Sequence, residues 1–382
     1  MSEIKKKILV LTDDMPWGHR SIARAIFNFL KKEIDSSKYF VELAEIKAET
    51  MSMNEFYTFA YRYVPGTNKI FHKISGLKIA QDILKEVAIL NSKNLEEKIS
   101  QIKPDLIIST YFLHSHSLVW WKKKKGRNFK LWTVAADPWT INPISFVPEA
   151  DLNIVYDQIG KKEAIKNGVD AKKVFVTGWW TRNEMYQKFD YQKSREKLGF
   201  KDNRPIVFVG GGSLGTNSLY KLLPSLLIVK KKVGLIINTG TDKLAFKLVE
   251  QFIKILKTVK KDKQIQIKHL GWIDNMAEVL AAADIVFGKA GPNFLFDCVA
   301  CKKPFVAMTH IGGQEDGNID LIKKKKLGWI KERNGEISDF LIEYLEKPKY
   351  FENKFKKEII KEGDLNKKSL PLILRRIKDE FK

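Results

Sequence analysis

The chain has 382 residues, 44% of them hydrophobic and 30% charged, with a formal net charge of +23 at pH 7. That length exceeds one ordinary core and predicts two domains. No run of eighteen apolar residues escapes interruption by charge, which excludes a spanning helix. The opening Met1-Ser2-Glu3-Ile4-Lys5-Lys6-Lys7 has no signal-like apolar stretch, so a cytoplasmic protein is expected. The positive charge suits nucleic acid, an anionic membrane surface, or a lysine-rich composition without any such partner. The lysines are spread along the chain and no nucleic-acid module signature occurs, so no nucleic-acid partner is expected.

In chain order, apolar runs predict strands at 8–11, 39–44, 106–110, 131–135, 152–156 and 174–177. A second series follows at 206–210, 234–238, 265–269, 284–287 and 304–308. Amphipathic stretches at 20–33, 79–100, 243–259 and 276–283 predict helices between them. Such alternation reads as α/β: two doubly wound, Rossmann-like domains of parallel strands, facing across a cleft. A polar stretch near 183–203 carries no strand pattern and reads as the linker. The expected division is 1–185, 186–350 and a basic helical tail over 351–382.

Each series opens with a strand and a glycine-containing turn. The second runs Val209-Gly210-Gly211-Gly212-Ser213-Leu214-Gly215 into a helical pattern. Successive glycines let backbone N–H groups approach a phosphate at a helix N-terminus, and a plain tight turn is the other reading. A denser stretch runs Gly271-Trp272-Ile273-Asp274-Asn275-Met276, then Ala281-Ala282-Ala283-Asp284, Lys289-Ala290-Gly291-Pro292, Asp297-Cys298-Val299-Ala300-Cys301 and Gly313-Gln314-Glu315-Asp316-Gly317-Asn318. Asp297 suits two adjacent ribose hydroxyls, and Gln314, Glu315 and Asn318 offer the donors and acceptors that sugar hydroxyls require. Lys289 is a phosphate or loop-fixing partner, or a solvated lysine. Cys298 and Cys301 fall late in a helical stretch, where no dipole lowers a thiol pKa, and read as reduced core or near-core thiols.

These motifs resemble the monogalactosyldiacylglycerol synthases and the processive diacylglycerol glucosyltransferases of bacteria. The resemblance covers nearly the whole chain and is densest over 265–320. In the first half it rests on Ile107-Ile108-Ser109-Thr110, Thr133-Val134-Ala135-Ala136-Asp137, Thr177-Gly178-Trp179-Trp180-Thr181-Arg182 and the turn Gly18-His19-Arg20-Ser21-Ile22-Ala23. It implies a GT-B fold and an inverting transfer of a hexose from a UDP-sugar to a lipid hydroxyl, diacylglycerol leading, with no catalytic metal and no further cofactor. It puts Gly212, Ser213 and Gly215 on the diphosphate, with Gly291 turning a helix N-terminus towards phosphate. Ile273 meets the uracil through its backbone, and Asp297 holds the ribose where the family usually has glutamate. Gln314 and Glu315 hold the sugar, and Asn318 supports their loop. Transfer of an N-acetylhexosamine to a polyprenyl-linked acceptor, nucleotide-sugar isomerisation and a basic binding protein without activity are the alternative readings.

His19 is the expected base, since an imidazole takes a proton near neutral pH. Met15-Pro16-Trp17 replaces the family's glycine-rich run before it. Asp13, Asp14 and Asp137 are candidates to orient His19 or to act as the base themselves, and a merely solvated histidine is the plain alternative. His114 and His116 stand near a strand end, where they would line the cleft. Two patches suit a bilayer: 55–73, with Tyr57, Tyr61, Tyr63 and Phe71 among Arg62, Lys69 and Lys73, and Leu118-Val119-Trp120-Trp121-Lys122-Lys123-Lys124-Lys125. An ordinary helix with a solvated charged end is the other reading of each. The expected location is cytoplasmic, peripheral on the inner face of the cell membrane and drawn there by anionic lipid.

Overall fold

The computed structural model describes residues 5–15, 18–47, 64, 67–210, 216–260 and 264–382, and of 216–218 the backbone alone. The chain divides into two compact units. The first takes Met1–Asn183, Ile311–Gly317 and Leu365–Lys382; the second takes Glu184–His310 and Asn318–Asp364.

The first unit runs β1 (Lys6–Asp13), α1 (Gly18–Glu33), β2 (Tyr39–Ile46), α2 (Thr67–Ser75), α3 (Lys78–Leu90), α4 (Lys93–Ile102), β3 (Leu106–Ser109), α5 (Phe112–Lys125), β4 (Lys130–Val134), β5 (Leu152–Val155), α6 (Gln158–Lys166) and β6 (Val174–Val176). Its six strands are all parallel, in the order β2-β1-β3-β4-β5-β6. Ile8, Leu9, Val10 and Leu11 of β1 are wholly buried, as a strand covered on both faces requires. α1 lays Ile22, Ile26 and Leu30, spaced by four, onto the core. The single helix expected over 79–100 is two. Asn91 and Ser92 interrupt it, and the Ser92 hydroxyl donates to Ile89 O at 2.6 Å, a local bond that competes with helix continuation.

The second unit runs α7 (Tyr191–Lys197), β7 (Ile206–Val209), α8 (Thr216–Leu222), β8 (Val233–Asn238), α9 (Lys243–Val259), β9 (Ile265–Leu270), α10 (Met276–Ala282), β10 (Ile285–Lys289), α11 (Pro292–Ala300), β11 (Phe305–Thr309), α12 (Asp316–Lys325), β12 (Gly328–Ile330), α13 (Asn334–Glu346), α14 (Pro348–Lys354) and α15 (Lys356–Asn366). Its parallel order is β12-β11-β10-β7-β8-β9. α9 is typical of its helices: Asp242 Oδ1 accepts from Ala245 N at 3.0 Å as the cap, and Ala245, Val249, Ile253 and Leu256 form the buried stripe. Three-residue β12 had no counterpart in the sequence reading; Gly328 lets its backbone close against Phe305.

α16 (Ser369–Glu380) belongs to the first unit. Asn366 Oδ1 accepts from Trp179 N at 2.9 Å, and the Ser369 hydroxyl donates to Trp179 O at 2.8 Å. Gly178 makes room with φ +89°; a Cβ there would lie 3.0 Å from Asn366 Oδ1.

Both sheets reverse direction once. From β1 the chain goes to β2 on one side and then to β3 on the other; from β7 it goes to β8 and β9, then to β10 on the other side. At such switch points the loops beyond the strand ends diverge and leave room for a ligand.

Candidate active site

In the first unit the switch point lies between β1 and β3, and His19 stands beside it at the start of α1. Its Nδ1 is 2.7 Å from the carbonyl oxygen of Thr110, the residue after β3. Only a protonated Nδ1 bonds a carbonyl, so the neutral ring keeps its lone pair on Nε2. Thr110 is itself fixed: its N–H donates to Leu11 O at 2.9 Å and its hydroxyl to His19 O at 3.0 Å. The imidazole stands edge-on to Tyr111 (5.5 Å, 76°) and Phe112 (6.2 Å, 65°). Burial pushes its pKa below the usual 6.5, against the opposing bond to Thr110. The neutral form therefore dominates at pH 7.

Neither Asp13 nor Asp14 holds Nδ1. Asp14 pairs with Arg20 at 3.2 Å, and Arg20 reaches Glu45 at 2.8 Å; Asp13 is buried. Asp137, beyond β4, takes another partner: its Oδ1 lies 3.4 Å from Gln314 Nε2 in the loop 311–317 of the same unit. That loop is seated beside Asp137, because Thr140 Oγ1 accepts the Gly317 N–H at 2.5 Å. Glu315 is buried with Oε2 accepting from Ile311 N at 2.7 Å, which braces the loop. Gly313 has φ +87°, and a Cβ there would fall 2.7 Å from His72 Cβ, so the loop needs glycine at that point.

In the second unit the switch point lies between β7 and β10. Gly210 N donates to Phe287 O at 3.0 Å, and a Cβ at Gly210 would lie 2.8 Å from the Phe208 ring. Gly212, Ser213 and Gly215 lie outside the described residues. Lys289 closes β10 and is buried, not the solvated side chain of the plainer reading. Gly291 N donates to Lys289 O at 2.8 Å and turns the chain into α11, with Pro292 at its first position. Asn318 Nδ2 donates to Ala290 O at 2.8 Å, which ties Asn318 to the Gly291 turn. Asp297 is buried in the second turn of α11. Ile273 is half-buried between β9 and α10, in a loop held by Asn238 Nδ2 on Gly271 O at 2.5 Å and by the Trp272 indole on Asp274 Oδ1 at 2.8 Å.

Two expectations need correction. His114 and His116 do not line an opening. Both are buried, with Nε2 on Ile46 O at 3.1 Å and on Ile144 O at 2.9 Å, and burial takes His114 down to about 4. The stretch 118–125 is a packed helix end. Leu118 and Trp121 are in the core, and Lys122, Lys123 and Lys125 pair with Asp151, Glu149 and Glu96. Of the aromatic–basic patch, 55–63 falls outside the described residues. Cys298 is buried, its thiol pKa raised by burial, and the Cys301 thiol donates to Met185 O at 3.4 Å. The sequence reading missed Thr110 and Thr140 as partners of the site. Thr110 belongs to the stretch Ile107-Ile108-Ser109-Thr110, but its carbonyl carries no sequence signal.

Two six-stranded parallel sheets, each with polar groups at its single switch point, give the chain the GT-B architecture. The solved structures agree on the fold. Anabaena HepE with UDP and glucose is 16% identical and covers 98% of this chain and 99% of its own, with a TM-score of 0.58. Acinetobacter baumannii MurG gives 12%, 98%, 99% and 0.60, and a putative UDP-N-acetylglucosamine 2-epimerase from Listeria monocytogenes 12%, 99%, 97% and 0.63. The family model for monogalactosyldiacylglycerol synthase matches residues 19–179, and that for the glycosyltransferase family 28 C-terminal domain matches 206–377. Monogalactosyldiacylglycerol synthase 2 of Arabidopsis thaliana is 27% identical over 86% of this chain and 71% of its own. The processive diacylglycerol beta-glucosyltransferase of Bacillus licheniformis is 21% identical over 93% and 90%. The chain belongs to this glycosyltransferase family and is a sugar-transferring enzyme.

Proposed function

We propose that the protein moves a hexose from a UDP-sugar to the hydroxyl of diacylglycerol or a closely related membrane lipid, with inversion at the anomeric carbon. The observation that carries this reading is His19: a ring neutral at pH 7, with Nδ1 occupied and Nε2 the basic nitrogen, walled by Tyr111 and Phe112. Nε2 takes the proton of the acceptor hydroxyl as its oxygen attacks the anomeric carbon. The bond to the diphosphate breaks with its electron pair on the phosphoryl oxygen. Backbone N–H groups of the turn holding Gly212, Ser213 and Gly215, and the start of α11 after Gly291, receive that charge. Asp297 holds the ribose, Ile273 the uracil, Lys289 the phosphate side, and Gln314 and Glu315 the sugar, with Asp137 orienting the Gln314 amide.

The lipid acceptor is supported by an apolar path through the first unit. Leu84 and Ala88 of α3 pack with Phe112 against Tyr111, Leu113 and Ile144. α2, α3 and the short link between them leave Ile70, Leu77, Ile79 and Leu90 at 58%, 60%, 77% and 82% exposure, with Lys73 and Lys78 among them in the sequence. Large apolar side chains so exposed among lysines suit the headgroup region of an anionic bilayer. Among the described residues no helix is long and apolar enough to cross a membrane, so access by docking fits this surface. Purified protein incubated with UDP-glucose or UDP-galactose and diacylglycerol vesicles should yield a hexosyl lipid and UDP. Free hexose alone, or no UDP, would reject the reading.

A further inference from the structure

We infer that the outer side of α9 is a membrane-docking surface of the second unit, fitted to an anionic bilayer. It is separate from the surface of α2 and α3 and requires no particular acceptor. A surface helix of a globular protein buries one apolar stripe and turns polar residues outward. α9 carries two apolar stripes. Ala245, Val249, Ile253 and Leu256 are buried, the last three in the core of the second unit. Leu244, Leu248, Ile255 and Val259, spaced by four, seven and four, share another line along the helix and are 68%, 40%, 57% and 63% exposed. This second stripe lies roughly 100° round the helix axis from the first, with half-buried Phe252 between them. The stretch 227–232, between α8 and β8, extends the patch. Leu227 and Ile228 are exposed there, and exposed Lys230, Lys231 and Lys232 follow. The Lys260 ammonium donates to Val229 O and holds this stretch against the end of α9, while the Val229 side chain is buried in the same core as Val249 and Ile253.

Charge decides what covers these side chains. Lys243, Lys247 and Lys254 are exposed on the flank of the second stripe away from the core. Glu250, the one carboxylate within the helix, has its Oε1 2.5 Å from His269 Nδ1. A second copy meeting this face across a two-fold axis would bring its own lysines against these, a like-charge juxtaposition. Nucleic-acid bases stack on aromatic rings, and the exposed stripe is aliphatic. An anionic bilayer matches both features. Leucine, isoleucine and valine enter the boundary below the headgroups, and the lysines lay their apolar stems along the interface with their ammonium groups among lipid phosphates.

Sedimentation of the full chain with phosphatidylcholine vesicles, with and without phosphatidylglycerol and free of diacylglycerol, tests this. Replacing Leu244, Leu248, Ile255 and Val259 together by serine should weaken partition onto the anionic vesicles by about tenfold or more. Replacing Lys243, Lys247 and Lys254 by glutamine should weaken it by up to about fivefold per lysine at low salt, with the difference from wild type shrinking as salt rises. Melting temperature and UDP affinity near wild type show that each variant is folded. The lysine variant removes no buried apolar contact, so it decides the matter if the serine variant does not fold. Partition within a factor of two of wild type in the folded variants overturns the inference and leaves the α3 surface standing. Wild type that fails to sediment with anionic vesicles overturns both. A wild-type dimer in light scattering that the serine variant converts to monomer assigns the face to a second copy and overturns the inference as well.

Discussion

His19 gives its Nδ1 hydrogen to the main-chain oxygen of Thr110 across 2.7 Å. A carbonyl orients the imidazole but, unlike a carboxylate, carries no charge to hold a second proton on the ring. Burial then decides the protonation state, and it favours the neutral base.

Replacing His19 with alanine should lower turnover by roughly 10²–10⁴-fold, the usual worth of a positioned general base. UDP affinity and melting temperature should stay near wild type. Steady-state assays beside UDP titration check this. Turnover within a few-fold of wild type would move the base to Asp14 or Asp137.

The pH profile follows from the same burial. A lowered histidine pKa places the acid limb of kcat/KM below 6.5, so activity persists as pH falls through 6.5 and declines only further down. A limb at 7 or above would mean that a different group is titrating.

Asp297 is buried in α11. If it holds the ribose, Asp297→Ala should cost UDP binding about 1.5–3 kcal/mol, the range for a hydrogen bond to an ionised group. Calorimetry reads this directly, and undiminished affinity removes Asp297 from the nucleotide site.

Acid should destabilise the fold through His114. Burial takes its pKa from the usual 6.5 down to about 4 in the folded chain. The unfolded chain therefore binds the proton first, and stability present above 6.5 is lost as pH falls towards 4. Between pH 7 and pH 5 this amounts to about 2 kcal/mol. Denaturant melts of His114→Gln should show a pH slope shallower by that amount, since glutamine can still donate to Ile46 O without titrating.

Substituting Ile79, Leu90 and Ile83, which is 56% exposed on α3, with serine should reduce sedimentation with phosphatidylglycerol vesicles and leave UDP affinity unchanged. Binding by the wild type should fall as salt rises, because the Debye length shrinks from about 10 Å at 0.1 M to 3 Å at 1 M. Equal sedimentation of wild type and variant would remove α3 from the docking surface.

Much of this architecture was legible because buried parallel strands are short apolar runs with little else around them. Ile8–Leu11 and Ile206–Val209 announce themselves in this way, and a glycine-containing stretch follows each in the sequence. β12 was not legible: Gly328-Trp329-Ile330 is too short to show a period, and what makes it a strand is Gly328 closing on Phe305. The 79–100 stretch kept its amphipathic period across Asn91 and Ser92, so the break was invisible to periodicity. The partners of the site residues were least legible. Thr110 meets His19 because β3 lies beside β1, and Thr140 meets Gly317 across more than 170 positions of sequence. Such pairings are properties of topology, whereas His19 and Gln314 themselves are local signals. The lysines of 122–125 misled for a related reason: their acidic partners are distant in sequence.

The bonds from Asn366 and Ser369 to Trp179 bear on how the protein is made. A ribosome delivers the strands of the first unit early, but the residues that satisfy the Trp179 backbone come more than 180 positions later. The earliest half to emerge must therefore wait, with that seam open, while the second unit is synthesised. Domains usually fold in the order they are made; here the second unit has all its residues before the first is complete. The segment around Gly178 thus lacks these partners for about half of the chain's synthesis and is exposed to misassembly during it.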